Sequence, residues 1–174
     1  AKGLLATAIR TNDPVIVLEH KRTYRLVKGE VPVEDYTIPI GKAEIKRPGT
    51  DMTLITYGLM LHYSLQAAEM ASANGIDVEV VDLRTLRPLD ADAIAESSSR
   101  TGKALIVQED TPAVSISSEV AAIIGERCFF DLDGPITRLG PPEIPPMPFS
   151  PIQEAAFMPS PEKILDAITK LAEV

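Results

Sequence analysis

The sequence has little of three features that would indicate specialised chemistry: cysteine, aromatic residues and positive charge. Its 174 residues include one cysteine, no tryptophan and 5% aromatic residues. A lone cysteine excludes an internal disulfide, which fits a reducing compartment. Because Cys128 lies in the apolar stretch IIGERCFF, we expect a buried, inert thiol rather than a reactive one.

Positive charge and long apolar runs are also scarce. The chain has 17 Lys and Arg residues against 25 Asp and Glu residues, a net charge of -8, and no basic stripe occurs. Nucleic acid is therefore not an expected partner. No apolar run approaches the roughly 20 residues that a membrane-spanning helix needs, so we expect no membrane segment.

The length fits one domain, or one domain plus a piece of another. Residues 1–9 show apolar positions at three- to four-residue spacing, as in the end of an amphipathic helix. A turn, TNDP, and a short apolar strand at residues 15–18 follow. These elements cannot form a core alone, so we interpret residues 1–20 as the tail of one domain.

Residues 21–50 are rich in glycine, proline and charge and lack sustained periodicity. They are long for a loop inside a domain, so they predict an interdomain linker with one or two short strands. From residue 51 to residue 174, apolar strands and amphipathic helices alternate. This alternation predicts an α/β domain, a three-layer α/β/α sandwich with a mainly parallel sheet.

In such sheets ligands bind beyond the carboxyl ends of the strands. No glycine-rich phosphate motif, metal-ligand cluster or serine nucleophile elbow occurs there. His62 is better explained as a packing or interface residue than as an acid–base group. Glu109 and Asp110 are neighbours on one strand and so point to opposite faces; we expect solvated charge or a hydrogen bond to a loop.

One stretch is unusually charged for the end of a buried strand. EVVDLRTLRPLD, residues 79–90, places Asp82, Arg84 and Arg87 directly after apolar residues, where charges are costly unless they are paired. Together with the stretches DPVIVLEHK, TLITYGLMLHYSLQAAE, KALIVQED and CFFDLDGPITRLG, it resembles the beta subunit of the thiamine-diphosphate-dependent decarboxylase component of 2-oxo acid dehydrogenase complexes. The resemblance covers essentially the whole chain, in order.

This resemblance implies a part of such a subunit: the tail of the pyrimidine-binding domain, a linker and a transketolase-like C-terminal domain. In the family, the residues that act on thiamine diphosphate lie elsewhere in the beta subunit, and the alpha subunit holds the diphosphate and Mg²⁺. No catalytic or cofactor-binding residue is thus expected here. A cytoplasmic location is implied, or the mitochondrial matrix in a eukaryote.

The resemblance assigns assembly to the C-terminal domain, in an alpha-two beta-two enzyme whose beta subunits meet through these domains. Arg84 and Thr85 would then finish a strand at an interface, with the guanidinium paired to a carboxylate and Asp82 in the same network. An anion site for substrate or phosphate is the rival hypothesis. His62 is assigned to the same interface.

Two further sites follow from the resemblance. Backbone carbonyls of Ala8, Thr11 and Asp13 match a turn that holds a structural potassium ion in some members, and we expect it to be empty in this chain. A docking surface for the subunit-binding domain of the lipoyl acyltransferase is expected near the C-terminal end. Its candidate groups are the acidic residues and terminal carboxylate Glu143, Glu154, Glu162, Asp166, Glu173 and Val174.

The implied reaction is oxidative decarboxylation of a 2-oxo acid with transfer of the acyl group to lipoamide. The substrate stays open among branched-chain 2-oxo acids, pyruvate and acetoin. Two alternatives remain: the C-terminal domain of another transketolase-family enzyme, such as transketolase or deoxyxylulose-phosphate synthase, and a non-catalytic interaction module.

Overall fold

A five-stranded sheet organises the chain. The computed structural model describes residues 1–144 and 147–174. The strands are β1 Glu44–Arg47, β2 Met52–Thr56, β3 Val78–Asp82, β4 Ala104–Val107 and β5 Thr137–Leu139. Their order in the sheet is β1-β3-β2-β4-β5. β2, β3, β4 and β5 run parallel to one another, and β1 alone runs antiparallel, paired with β3.

Helices cover both faces of this sheet. They are α1 Lys2–Arg10, α2 Thr23–Leu26, α3 Leu59–Ser72, α4 Ala91–Thr101, α5 Ile116–Arg127, α6 Pro151–Phe157 and α7 Pro161–Ala172, with one turn of 3-10 helix at Phe129–Asp131. The α3 and α7 helices share one hydrophobic cluster with the sheet, and α4 and α5 share the other. The prediction of a three-layer α/β/α sandwich with a mainly parallel sheet is confirmed.

The central strands are buried on both faces, which explains why they read as continuous apolar runs. Leu54 of β2 pairs with Val80 of β3 and Leu105 of β4, and all three side chains are fully buried. Cys128 is buried in the α4–α5 cluster, as the sequence predicts.

Local signals fix the ends of the helices on the two faces. The Asp90 carboxylate accepts the Ala93 N–H and caps α4, which ends at Gly102 in the left-handed conformation with φ 70°. Ser160 caps α7 by accepting the Lys163 N–H. Pro161 follows at the first helical position, where the fixed φ of proline already has a helical value.

Three segments differ from the sequence interpretation. Residues 15–18, predicted as a strand, pair with no strand among the described residues, and Ile16 is 86% exposed; that they form a strand with the rest of another domain stays a prediction. A strand requires a hydrogen-bonded neighbour, and apolar composition alone does not supply one. β1 lies inside the range 21–50 and belongs to the sheet, and α6 was not predicted. The domain limits 1–20, 21–50 and 51–174 otherwise stay predictions.

Within the two described ranges, none of the helices combines the length and the apolar character needed to cross a membrane.

Candidate functional site at the carboxyl ends of the strands

The charged stretch at the end of β3 forms a network with the first residue of β1 and the residues just before it. The Arg84 guanidinium donates to the Glu44 carboxylate, and the Arg84 backbone N–H donates to Asp82 Oδ1 at 3.1 Å. Arg84 has a φ of 56°, a left-handed conformation that is unfavourable for a residue with a Cβ. The chain therefore reverses at Arg84 while its side chain reaches back to β1.

The next residues fasten the same segment. Thr85 Oγ1 accepts the Gly41 N–H at 3.0 Å and donates to the Pro88 carbonyl at 3.0 Å. The buried Asp90 carboxylate accepts the Ala43 N–H at 3.1 Å in addition to capping α4. Residues 41–47 are therefore held against the end of β3 by side chains of the stretch 79–90.

Burial and charge act in opposite directions on the ionisable groups of this network. Burial raises the pKa of Asp82, although the Arg84 N–H and the charges of Arg84 and Lys46 oppose the rise. For Glu44, burial opposes the shift, but the hydrogen bond from Lys46 and the charges of Arg84 and Lys46 prevail and lower the pKa.

His62 lies in the first turn of α3, near these groups. Burial lowers the pKa of His62; the charge of Asp82 opposes this shift and that of Lys46 adds to it. The shift favours the neutral imidazole. The His62 side chain makes no hydrogen bond to the described residues. It is therefore not part of an acid–base relay within this network.

The network explains most of the charged residues at the end of β3. Asp82, Arg84 and Thr85 are half-buried, and each has a hydrogen-bond partner in its own chain, as partly buried polar groups require. Arg87 is exposed. The placement of Arg84, Thr85, Asp82 and His62 at an interface between subunits stays a prediction.

A second group of polar side chains meets beyond β4. His20 Nε2 lies 2.8 Å from Glu109 Oε2, and His20 belongs to the loop before α2, in agreement with the expected hydrogen bond from Glu109 to a loop. His20 Nδ1 is buried without a partner among the described residues, which favours the tautomer that carries its proton on Nε2. Asp110 Oδ1 accepts the Thr111 N–H at 2.8 Å, so the two carboxylates do not act as a pair.

The loop between β4 and α5 is closed by one buried amide. Gln108 donates from Nε2 to the Asp110 and Thr111 carbonyls, both at 2.9 Å. Its Oε1 accepts the Ser117 N–H at 2.8 Å. These contacts use both N–H donors and one of the two acceptor lone pairs of the side-chain amide, so they hold the loop to the first turn of α5.

The three residues of the predicted potassium site lie at and just beyond the end of α1. Thr11 donates its N–H to the Thr7 carbonyl at 3.0 Å and terminates the helix. Ala8 is half-buried and Asp13 is exposed. In residues 1–144 and 147–174, no three His, Cys, Asp or Glu side chains converge as a metal site would require. A potassium site built from backbone carbonyls stays a prediction.

The predicted docking residues lie on the surface around α6 and α7. Glu143, Glu173 and Val174 are exposed. Asp166 accepts from Lys170 at 2.7 Å, one helical turn further on. Glu162 accepts from Ser160, which lowers the Glu162 pKa, and Glu154 lies 3.3 Å from Arg22.

Comparison with known proteins assigns the chain to a family. The model of the transketolase C-terminal domain matches residues 41–164, a range that contains all five strands. The chain belongs to the transketolase C-terminal domain family. The match begins three residues before β1, which agrees with β1 being part of the sheet.

Individual related proteins also match the residues that precede this domain. The chain is 59% identical over 173 residues to the 2-oxoisovalerate dehydrogenase subunit beta of Bacillus subtilis, covering 99% of this chain and 53% of that protein. It is 46% identical over 173 residues to the pyruvate dehydrogenase E1 component subunit beta of the same organism, with the same coverage. The chain thus spans about half the length of these relatives. The family resemblance stated from the sequence is confirmed.

A solved structure supports the fold of the transketolase C-terminal domain. A split-gene transketolase in an inactive beta4 tetramer superposes with a TM-score of 0.69 at 24% identity, covering 83% of this chain and 46% of that chain. At this level of identity the likeness concerns the fold.

Proposed function

We propose that the chain is the C-terminal part of a decarboxylase beta subunit from a 2-oxo acid dehydrogenase complex, and that it acts in assembly. The observation that carries this proposal is the 59% identity to a 2-oxoisovalerate dehydrogenase beta subunit over 99% of the chain. The structure supports it with a domain whose strand ends carry polar residues engaged in fixing the chain itself, as expected of a scaffold.

The proposed substrate class is the branched-chain 2-oxo acids. Identity is 59% to the 2-oxoisovalerate relative and 46% to the pyruvate relative, a difference that favours the former. The complete subunit would oxidatively decarboxylate such an acid and transfer the acyl group to lipoamide.

The experiment is an activity assay of the full-length subunit, purified with its alpha subunit, in the presence of thiamine diphosphate and Mg²⁺. Decarboxylation is measured with an artificial electron acceptor, using 2-oxoisovalerate and pyruvate as parallel substrates. We expect a higher kcat/KM for 2-oxoisovalerate. Activity toward neither acid would contradict the function, and a preference for pyruvate would contradict the substrate.

The residues of this chain do not suit a thiamine diphosphate and Mg²⁺ site. The described part of the chain brings together no carboxylate cluster for a divalent ion, and the carboxylates beyond β3 and β4 are engaged with Arg84, His20 or backbone N–H groups. We therefore assign the cofactor to the rest of the enzyme. Calorimetric titration of this chain with cofactor and Mg²⁺ should show no micromolar binding.

The proposed partners are an alpha subunit and a second beta subunit. Phe129 and Phe130, which follow α5, are 67% and 96% exposed and stack edge to face at 5.2 Å. An exposed aromatic pair of this kind supports a protein contact. Sedimentation should show a dimer that weakens when Phe130 is replaced by serine; the Tyr24→Ser variant, at an exposed aromatic elsewhere, is the control.

The proposed docking surface for the acyltransferase comprises Glu143, Asp166, Glu173 and Val174. Charges at the rim of an interface mainly set the association rate and its dependence on salt. Full assemblies carrying Glu143→Lys, Asp166→Lys and Glu173→Lys should bind the subunit-binding domain more weakly, with a smaller salt slope. Asp92→Lys, an exposed carboxylate of α4, is the matched control; equal effects would place the surface elsewhere.

A further inference from the structure

A cleft at the carboxyl end of β4 concentrates positive charge in an otherwise acidic chain. It has a volume of about 590 Å³ and lies between the segment around α2, Glu109 after β4, Met147 and Glu154 of α6. This volume is within the range of small-ligand sites. Its position is where open α/β sheets bind ligands, beyond the carboxyl ends of the strands.

The positive charge comes from a short segment. HKRTYR, residues 20–25, supplies three of the chain's 17 Lys and Arg residues, and Lys21, Arg22 and Arg25 all line the cleft. Two carboxylates face them, Glu109 and Glu154. The cleft therefore holds one more cationic than anionic side chain even with His20 neutral, whereas the chain as a whole has a net charge of -8.

The two carboxylates are already engaged. Glu109 is bound to His20 at 2.8 Å, and Glu154 lies 3.3 Å from Arg22. No carboxylate lies within ion-pair distance of Lys21 or Arg25 in residues 1–144 and 147–174. These two cations are consequently available to an external anion, and a guanidinium can bind a carboxylate or phosphate through two parallel hydrogen bonds.

The rest of the lining indicates what accompanies the anion. Tyr24 and Met147 line the cleft beside the cations, and their side chains are 63% and 44% exposed. An aromatic ring and a thioether favour an apolar group. We propose that this cleft binds a small organic oxyanion, a carboxylate or phosphate ester with an apolar part, with Lys21 and Arg25 as its main ionic partners. This site is independent of the proposed function in assembly.

The test is calorimetric titration of the full chain with phenylacetate, phenyl phosphate and inorganic phosphate at constant ionic strength. The proposal expects saturable binding of at least one phenyl probe, tighter than that of inorganic phosphate. The tighter of the two phenyl probes identifies carboxylate or phosphate as the preferred group. Absence of saturation by both phenyl probes up to roughly 10 mM, a very weak affinity, overturns the proposal.

Variants assign the binding to the cleft. The double variant Lys21→Gln, Arg25→Gln should weaken binding at least about tenfold, because each cation near an anion at a wet surface contributes on the order of 1 kcal/mol. Arg127→Gln removes an exposed guanidinium of α5 that pairs with Asp92, outside the cleft lining, and should change the affinity less than about twofold. Equal losses in both variants would overturn the proposal.

A variant that is expected to bind the probe more tightly distinguishes a specific loss of affinity from misfolding. Glu154→Gln removes a carboxylate from the cleft and releases Arg22, so binding should become tighter, by roughly twofold to fivefold. Circular dichroism verifies the fold of each variant. Weaker binding in a folded Glu154→Gln protein would contradict the assignment of the anion to this cleft.

Discussion

Replacing Arg84 separates the two effects that this residue has on stability. Its guanidinium pairs with Glu44, and the two side chains are 18% and 37% exposed. A pair this accessible contributes about 1 kcal/mol, near the upper end for exposed pairs. The backbone acts in the opposite direction, because a φ of 56° costs a residue with a Cβ about 1–2 kcal/mol.

The Arg84→Ala variant loses the ion pair and keeps the unfavourable φ, so its free energy of unfolding should fall by about 1 kcal/mol. The Arg84→Gly variant loses the same pair but relieves the backbone. Glycine costs about 0.5–1 kcal/mol in chain entropy relative to alanine, which is less than the relief. Arg84→Gly should therefore be more stable than Arg84→Ala, by roughly 0.5–1 kcal/mol.

Urea unfolding at pH 7 measures these differences. Because Glu44 also pairs with Lys46, a double-mutant cycle of Arg84→Ala with Glu44→Gln is needed to isolate the coupling. Arg87→Gln, at the exposed arginine of the same stretch, is the control and should stay within about 0.5 kcal/mol of the wild type. A coupling near zero, or an alanine variant more stable than the glycine variant, would refute the reasoning.

Three further predictions concern the sheet and its edges. The Asp82 pKa is raised by burial, so ionisation destabilises the folded state as pH rises above about 4; Asp82→Asn should gain stability relative to the wild type between pH 3 and 7 in denaturant titrations, and a constant difference would contradict this. A Cβ at Gly49 would overlap the backbone of β3, so Gly49→Ala should lose more than about 2 kcal/mol in urea unfolding, whereas Gly29→Ala, with open space around it, should not. Ile94→Ala should lower the free energy of unfolding by about 2–5 kcal/mol through a cavity, and Ile9→Ala, 74% exposed, by far less; similar losses would contradict the core assignment.

The sequence predicted those elements whose signals are local. Aspartate is a usual residue at the start of a helix and glycine at its end, and Asp90 and Gly102 have these roles in α4. β1 was placed in the linker because three of its four residues, EIKR, are charged, a composition that β1 tolerates because it lies at the edge of the sheet. The helix α6 follows a proline-rich stretch that suggests a loop, although Ser150 and Pro151 are a usual helix start. Residues 15–18 have strand composition, but the described part of the chain offers them no partner strand.

In the candidate sites, too, local features could be predicted from the sequence and contacts between distant residues could not. That Arg84 needs a partner could be predicted from its place after a buried strand, but Glu44 lies 40 residues earlier. The contact of His20 with Glu109 spans 89 residues, and no periodicity links two such positions. The left-handed backbone of Arg84 was also beyond prediction, because glycine and asparagine are the residues that usually indicate it.

The double use of Asp90 has a consequence for local opening of the fold. One buried carboxylate accepts the Ala43 N–H before β1 and the Ala93 N–H in the first turn of α4. If either segment detaches alone, the carboxylate loses a backbone N–H partner while still buried, which is unfavourable. The two amides should consequently exchange their hydrogens with solvent through one shared opening event, with matching protection.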